Sequence, residues 1–366
     1  MITRFDDYLV HQTAEPVAHP ATGDRNAYDR YFFHGYTRSG DLFFAVALGL
    51  YPNRRVMDAA FSVVRNGVQH VVRASRLAPL ERGETRVGPI EVKVLEPMRT
   101  LSVRVRDNDS GIVASLAFYA RTAPIEEPRF TVRTPEGRLA MDSTRLTQLG
   151  FWEGTLTVDG EEIALDPSQT PGARDRSWGV RPVGEPEGGA PAMIPLYFWL
   201  WAPVHFDDVC THFDVNEDAE GRRWHAAGMI AQTGAFDEGT VEAMASVDHA
   251  VTWEPGTRRA RAATITLRPH HGEPLVVQLE PVLTFQMRGL GYLDPEWGHG
   301  MWKGPEAVDA TRFTLAELDP MLPTNLHVQQ LCRARCGTRT GMGVLEQLVI
   351  GPHAPSGFTG LLDAAR

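Results

Sequence analysis

The 366-residue sequence lacks several features that define common protein classes. It has only three cysteines, and Cys332 and Cys336 stand four positions apart without a second ligand pair in the spacing of a zinc site. We therefore expect reduced, partly buried thiols and no disulfide framework. Gly-x-Gly-x-x-Gly, Walker and Gly-x-Ser-x-Gly motifs are missing, so nothing indicates nicotinamide, flavin or ATP chemistry or a hydrolase nucleophile. We expect neither a cofactor nor a metal.

A surplus of basic residues is also missing, since the formal net charge is −10. Phosphate neutralisation needs excess Lys and Arg, so nucleic acid is not expected as a partner. The longest apolar run, residues 193–204, has twelve residues and two prolines, short of the roughly 20 of a membrane span. The first residues lack the basic start and apolar run of a signal peptide. We expect a cytoplasmic protein without a membrane span, and a homodimer is left open.

Turn-forming residues and alternating strands are abundant. The sequence has 34 glycines and 26 prolines, and Leu101, Val103 and Val105 alternate with polar residues, as in half-buried strands. Asp159-Gly160 lies between two such segments and predicts a hairpin. These signals favour an all-β sandwich or barrel. Short helices are expected only at residues 142–149, 314–318 and 326–335.

The length suits two domains. The best boundary is the polar segment at residues 166–173, which contains proline and glycine. It gives domains of residues 1–172 and 173–366. A second segment rich in glycine and proline, residues 183–191, predicts a surface loop.

The most informative segment is Arg-Asp-Arg-Ser-Trp-Gly-Val at residues 174–180. It places two guanidinium groups, one carboxylate and an indole around a glycine, which suggests a half-buried polar network. The chain resembles the carotenoid 1,2-hydratase and AttH-like superfamily, whose members carry an Arg-Asp-His-Ser-Trp-Gly type signature near mid-chain. The resemblance implies two lipocalin-like β-barrels, with the signature in the second domain and a hydrophobic small molecule bound in a barrel lumen.

The residues that the resemblance implies for catalysis are only partly present. The hydratases pair a His-x-Trp element with a Tyr-x-Asp element, whose acid protonates an alkene. Trp178 keeps the signature tryptophan, but Arg176 replaces the histidine. Tyr197 matches the tyrosine, whereas Trp199 stands where the acid would be. Arg176 cannot exchange protons near neutral pH, and Trp199 cannot donate one to an alkene. Other residues must supply any acid-base chemistry.

The segment that begins at Tyr197 predicts a strand that is apolar on both faces. Tyr197, Trp199 and Trp201 project from one face. Two interpretations stay open: a packed barrel core, or an aromatic wall for a flat or polyene ligand.

Histidines are the natural acid-base candidates. His205, His212 and His225 follow the aromatic strand, and each is either a hydrogen-bonded structural residue or a catalyst; a metal site made of the three lacks any metalloenzyme motif. The glycine-rich segment at residues 289–304 also contains a histidine, His299. This segment is either a turn with tryptophans that plug a barrel end, or a loop that positions His299 as a general acid or base behind Trp302.

The function hypothesis is a cofactor-independent lyase or isomerase that acts on a hydrophobic terpenoid, steroid, polyketide or aromatic substrate. His299 and His225 are the proton-transfer candidates, and Asp175 and Arg176 are expected to form an ion pair that orients the substrate or the loop. The expected substrate-binding residues are Trp178, Tyr197, Trp199, Trp201, His205, Tyr292 and Trp302. The alternative is a non-catalytic binding or carrier protein. Lumen histidines that are all bonded to backbone carbonyls, behind a purely aromatic wall, would favour the carrier. A histidine near the ligand with its pKa shifted toward neutrality would favour the enzyme.

Overall fold

The computed structural model describes residues 1–134, 136–186, 196–236 and 239–366. The end of the loop predicted at residues 183–191 and the start of the apolar run at residues 193–204 lie outside these ranges. Within them the chain forms two antiparallel sheets. The helical elements there are short 3-10 turns at Arg4–Asp7, Pro52–Arg54, Met287–Leu290, Leu315–Glu317, Pro323–Asn325 and Ala354–Ser356. No helix in these ranges is long and apolar enough to cross a membrane.

The first sheet is a nearly closed barrel. Its main path runs β21-β4-β3-β2-β1-β13-β11-β8-β7-β6-β5, and three short strands pair with β11. Numbered along the chain, its strands are β1 (Ala27–Tyr36), β2 (Leu42–Tyr51), β3 (Val56–Arg65), β4 (Val68–Leu77), β5 (Arg86–Val87), β6 (Ile90–Glu96), β7 (Thr100–Val105), β8 (Val113–Ala120), β9 (Ile125–Glu126), β10 (Phe130–Arg133), β11 (Leu139–Val158), β12 (Glu161–Leu165), β13 (Pro171–Val180) and β21 (Glu306–Thr314).

The second sheet is a half-barrel in the order β17-β16-β15-β14-β23-β22-β20-β19-β18. Its strands are β14 (Tyr197–His205), β15 (Val209–Glu217), β16 (Arg223–Gln232), β17 (Val241–Ala243), β18 (Ser246–Trp253), β19 (Ala260–Arg268), β20 (Leu275–Gln286), β22 (Val328–Cys336) and β23 (Arg339–Ile350). Between β20 and β22 the chain returns to the first sheet, where β21 pairs with β4. The two sheets are therefore tied by a strand as well as by packing.

Large aromatic side chains fill the interior of the first barrel. Trp152 packs edge-on against Phe33, Phe44 and Phe118, with ring centroids 5.2–5.7 Å apart. Its Nε1 donates a hydrogen bond to the backbone oxygen of His34 at 2.9 Å, which satisfies the polar atom of a fully buried indole. This lumen is a packed core.

A second apolar layer joins the outer face of the first barrel to the second sheet. Alternate residues of β1 and β2 point away from the barrel interior, and they meet residues from β20 and the turn that follows it. Phe43 of the first sheet lies 5.0 Å from Phe285 of the second, measured between ring centroids. The other buried members of the layer include Phe32, Tyr36, Ala45, Met287, Leu331 and Val344. The two sheets thus share one hydrophobic interface.

Several sequence predictions can be compared with this fold. The all-β architecture of two barrel-like sheets is confirmed, and so is the hairpin, where Asp159 and Gly160 adopt φ of 50° and 76°. The three cysteines are free and buried. The helices predicted at residues 142–149 and 326–335 are wrong, because these residues lie mostly in β11 and β22. Each strand is hydrogen-bonded to a neighbouring strand on both sides, and this pairing outweighed the helix-like pattern of the local sequence. Residues 314–318 contain only a 3-10 turn.

The signature segment lies in the first sheet, where β13 pairs with both β1 and β11. It had been expected in the second domain, and the division at residues 172 and 173 stays a prediction.

Candidate functional site

The signature strand β13 sends its side chains to two different environments. Asp175 is paired with Phe32 of β1 and faces the second sheet, whereas Arg176 is paired with Tyr31 and faces the other way. The expected ion pair between Asp175 and Arg176 is therefore wrong, because neighbouring residues of a strand point to opposite faces. Arg176 instead forms an ion pair with Asp29 and lies 4.3 Å from the ring centroid of Tyr31.

A buried charged group lies between the sheets. The guanidinium of Arg145, on β11, bridges Glu127 and Asp214, with Nη2 at 2.7 Å from Asp214 Oδ2 and Nε at 2.5 Å from Glu127 Oε2. Burial disfavours the charge of Arg145, but the two carboxylates outweigh burial and raise its pKa well above its ordinary value. The same attraction, acting against burial, lowers the pKa of Asp214. Arg145 and Asp214 therefore both stay charged at physiological pH.

Three further donors complete the ion triad. Thr147 Oγ1 donates to Glu127 at 2.6 Å, Trp199 Nε1 donates to Asp214 Oδ1 at 3.0 Å, and His225 Nε2 donates to Asp214 Oδ2 at 2.9 Å. Buried carboxylates are stable only when such bonds replace their water. His225, a predicted proton-transfer residue, is thus engaged with a structural carboxylate.

Glu127, Asp214 and His225 offer ligand atoms within 4.8 Å of one another, a spacing that could hold a metal ion. The contacts of these three residues do not fit a metal ion. The guanidinium of Arg145 already lies between the two carboxylates, and His225 Nε2 is used by Asp214. A cation there would have to displace a charge-assisted bridge.

Asp175 is a titratable group of this region with a strongly perturbed environment. It is half-buried on the face of β13 that looks toward the second sheet, and none of the described residues gives its carboxyl group a hydrogen bond. Burial raises the pKa of Asp175 to about 7, and Glu127 adds to this rise while Arg145 opposes it. A carboxyl group that titrates near neutrality can both donate and accept a proton.

Half-buried residues lie between the two sheets around Asp175, and we call the region that they border the inter-sheet cleft. Tyr197 and Trp199 extend from β14 toward the first sheet, where the Tyr197 hydroxyl contacts Met141 Sδ at 3.7 Å. Side chains that lie between two sheets and still keep accessible surface must border free space. The half-buried residues of the cleft are Arg145, Asp175, Ser177, Arg181, Tyr197, Trp199, Tyr292 and His299. Aromatic rings and charged groups thus lie together along the inter-sheet cleft.

His299 is held by three polar groups. Its Nε2 lies 2.9 Å from the Leu290 carbonyl oxygen and 2.9 Å from Arg30 Nη2, and its Nδ1 lies 3.2 Å from Arg181 Nη2. Burial lowers the pKa of His299 well below its ordinary value, and both arginines lower it further. The ring is therefore neutral, and its role as a general acid stays a prediction that these contacts do not favour.

His205 is held in the same way. Its Nε2 lies 3.0 Å from the Gly172 carbonyl oxygen and its Nδ1 lies 3.2 Å from Arg121 Nη1. Burial, followed by the charge of Arg121, lowers the pKa of His205 well below its ordinary value. It supports the junction of β13 and β14 and lies away from the cleft wall.

The remaining predicted binding residues are dispersed. Trp201 is buried at the sheet interface, where Nε1 donates to Glu127 Oε1 at 3.4 Å. Trp178 is 42% exposed and shares the face of Arg176, and Trp302 is 47% exposed. Tyr292 does border the cleft. The structure therefore gathers Asp175, Tyr197, Trp199, Tyr292 and His299 around the cleft and leaves Trp178 and Trp302 outside it.

Sequence reasoning missed several residues of this region: Arg30, Glu127, Arg145 and Asp214. Asp214 had a detectable signal, because His212, Asp214 and Asn216 alternate with apolar residues along β15. That pattern is typical of a solvent-exposed face, yet all three are almost completely buried. Glu127 and Arg145 carried no comparable signal.

Comparison with known sequences gives one family. The family described as "Family of unknown function (DUF8625)" matches residues 2–359. No curated protein matches the chain.

Comparison with solved structures gives several likenesses at low sequence identity. A protein assigned as AttH (NE1406) from Nitrosomonas europaea is 12% identical, with a TM-score of 0.52 over 88% of this chain and 92% of that one. Kievitone hydratase from Nectria haematococca is 15% identical, with a TM-score of 0.51 over 87% and 88%. CghA is 12% identical, with a TM-score of 0.52 over 89% and 88%. These likenesses confirm the fold of the superfamily that the signature segment resembles.

Proposed function

Because the chain belongs to the family DUF8625, whose description gives no activity, the site itself must indicate the chemistry, and we propose that the protein is a cofactor-independent lyase or isomerase. It acts on a hydrophobic small molecule of the terpenoid, steroid, polyketide or aromatic class. The observation that carries the proposal is Asp175, a half-buried carboxyl group with a pKa of about 7 that borders the inter-sheet cleft. Perturbed acids of this kind concentrate at active sites.

The names of the structural neighbours agree with this class of reaction. One is a hydratase, kievitone hydratase, and another, CghA, has been solved with Sch210972 bound. At 12–15% identity these proteins support a fold that can host such chemistry. The residues that perform it here must come from this chain.

Asp175 would act as acid and then as base. In a hydration, its protonated carboxyl group gives a proton to one alkene carbon, and water forms a bond to the other carbon. The added water then returns a proton to the carboxylate, which restores the acid. Dehydration follows the same steps in reverse, and an isomerisation returns a proton from carbon instead of from water. A pKa near the working pH makes both directions accessible.

The inter-sheet cleft replaces the barrel lumen as the proposed substrate site. The lumen of the first barrel is filled by Phe33, Phe44 and Trp152, whereas Tyr197 and Trp199 give the cleft an apolar wall. The Arg145 ion triad fixes Trp199 through the bond from Nε1 to Asp214. This wall is therefore preorganised before a substrate binds.

One observation favours the carrier alternative. His205 and His299 both contact backbone carbonyl oxygens, so neither is free to transfer protons. A carrier would bind the same hydrophobic ligand in the same cleft and release it unchanged. The two functions therefore differ at Asp175, which a carrier does not need.

The test starts from protein purified from its own host. Any bound compound is extracted with organic solvent and identified by mass spectrometry, and it is then incubated with fresh protein in D2O. An enzyme that protonates carbon leaves a non-exchangeable deuterium in the product. Asp175→Asn should lower the rate by about 100-fold or more, which is a typical contribution of a general acid.

Asp142→Asn is the matched control, because Asp142 lies on neighbouring β11 and pairs with exposed Arg129 outside the cleft. It should keep wild-type turnover. A bound compound that leaves the wild-type protein unchanged and unlabelled would establish the carrier. Wild-type turnover by Asp175→Asn would refute the role of Asp175.

A further inference from the structure

Two arginines meet at one end of the inter-sheet cleft. Arg30 of β1 and Arg181, which follows β13, both reach His299 from opposite sides of its ring. Arg30 Nη1 also donates to the hydroxyl oxygen of Tyr292 at 2.6 Å. Arg30 is almost fully buried, whereas Arg181, Tyr292 and His299 keep part of their surface accessible. We call these four residues the arginine pocket.

The arginine pocket has more donors than acceptors. A neutral imidazole has one nitrogen that accepts and one that carries a hydrogen. The Leu290 carbonyl oxygen can only accept, so the hydrogen of His299 belongs on Nε2 and points to that oxygen. Nδ1 then accepts from Arg181, and Arg30 Nη2 faces a nitrogen that cannot accept from it. The Nε groups of Arg30 and Arg181 are buried without any partner among the described residues.

The two cations of the arginine pocket also have no carboxylate in direct contact, although Asp58 and Asp175 attract Arg30 from a greater distance. Arg145, in the same inter-sheet layer, has two carboxylates within 4.0 Å, and Arg176 has one. In the described part of the chain, no carboxylate lies within that distance of Arg30 or Arg181. Instead, both guanidinium groups lie over aromatic rings, Arg30 at 4.8 Å from the Tyr292 centroid and Arg181 at 4.7 Å from that of Tyr28. Burying two positive charges without an anion in direct contact is costly.

We propose that the arginine pocket binds a compact organic anion, a carboxylate or stabilised enolate, carried by the hydrophobic substrate. Its oxygens would take the unused N–H groups of Arg30 and Arg181. The Tyr292 hydroxyl, which accepts from Arg30, still has its own hydrogen to donate. The identity of this anion as part of a reacting substrate rests on the proposed function, but its binding does not.

The register of the strands gives the spacing between anion and reacting group. Asp175 is directly opposite Phe32 on β1, and Arg30 lies two residues further along the same face. Such diagonal neighbours are about 7–8 Å apart. A substrate whose anionic group is bound in the arginine pocket would therefore have its reacting carbon beside Asp175. The separation between this carbon and the anionic group is about the width of one ring. The substrate class narrows to hydrophobic acids or enols with a nearby alkene or hydroxyl.

The experiment compares two probes of the same shape by isothermal titration calorimetry. The first is 2-naphthoate, which is anionic, and the second is 2-naphthamide, which is neutral. Wild-type protein should bind 2-naphthoate at least about tenfold more tightly, as expected for hydrogen bonds to a charged group. Arg181→Gln should remove this preference, and Arg181→Lys should keep part of it.

Arg339→Gln is the matched control, since Arg339 is surface-exposed and paired with Asp208; it should keep the full preference. Arg181 is chosen over Arg30 because it is only half-buried, and circular dichroism checks that each variant is folded. Equal affinity for the two probes, or an undiminished preference in Arg181→Gln, would overturn the proposal.

The outcome is separable from that of the proposed function. Asp175→Asn should bind 2-naphthoate at least as tightly as the wild type, because it removes a nearby acidic group, even though it loses turnover. If the protein prefers the anionic probe but turns over no substrate, only the catalytic proposal is refuted. If it turns over an uncharged substrate and shows no preference for the anionic probe, only the arginine-pocket proposal is refuted.

Discussion

Asparagine at position 175 should stabilise the folded protein most strongly at alkaline pH. The pKa of Asp175 is about 7 in the folded protein, because burial disfavours its charge, against an ordinary value of 3.8. The folded state therefore holds the proton more tightly than the unfolded chain does. Stability falls as pH rises from the unfolded pKa to the folded one, and the loss is complete above the folded pKa. Asparagine has no charge to bury and escapes this loss.

The size of the effect follows from the same values. Each pKa unit corresponds to about 1.4 kcal/mol, so the displacement from 3.8 to about 7 sets a ceiling of about 4 kcal/mol. Roughly 3 kcal/mol of this would appear between about pH 5 and about pH 8. Asp175 keeps some accessible surface, and water in the cleft screens it. We therefore expect the advantage of Asp175→Asn over the wild type to grow by about 1–3 kcal/mol across that interval.

The assay is urea unfolding followed by tryptophan fluorescence at the two pH values. Asp142→Asn is again the control, and its sign is opposite: the hydrogen bond from Arg129 lowers the pKa of Asp142, so the wild-type carboxylate stabilises the fold above its unfolded pKa. Parallel pH profiles for wild type and Asp175→Asn would refute the reasoning. A variant that gains stability while losing turnover would show the trade-off typical of a strained active site.

Two further substitutions test the frame around the cleft. Arg145→Met leaves Glu127 and Asp214 buried without their cation, and it should lower the free energy of unfolding by about 3–5 kcal/mol. An unfolding midpoint equal to that of the wild type would show that the ion triad does not hold the sheets together. Gly172→Ala places a Cβ 2.2 Å from the His34 carbonyl oxygen, so β1 and β13 must separate, and the melting temperature should fall by several degrees. Gly23→Ala, with open space around the added Cβ, should leave the melting temperature unchanged.

Local pattern was sufficient for the strands and one hairpin. Leu101, Val103 and Val105 alternate with polar residues and are all buried in β7. Asp159-Gly160 formed the predicted turn because its backbone needs positive φ at both positions. Local pattern failed at residues 142–149, where a stretch with a helix-like cap lies in the middle of a twenty-residue strand.

The candidate site was predictable only in part. The signature segment drew attention to Asp175, and the aromatic alternation correctly placed Tyr197, Trp199 and Trp201 on one face. The partner of Arg176 was not readable, because Asp29 lies 147 positions away along the chain. Polar residues along β15, such as Asp214, have the spacing of a solvent-exposed face. Only the packing of the first sheet against this face shows that they are buried.

The sequence by itself determined many of the strands, such as β7 and β14, and which of their side chains share a face, since both follow from the period of two along a strand. The tertiary structure alone decided which polar face meets another sheet instead of water. The raised pKa of Asp175 and the N–H groups of Arg30 and Arg181 that lack an acceptor both result from this packing of one sheet on the other. Desolvation and Coulomb attraction depend on distances between groups from different strands, and those distances exist only once the two sheets have packed together.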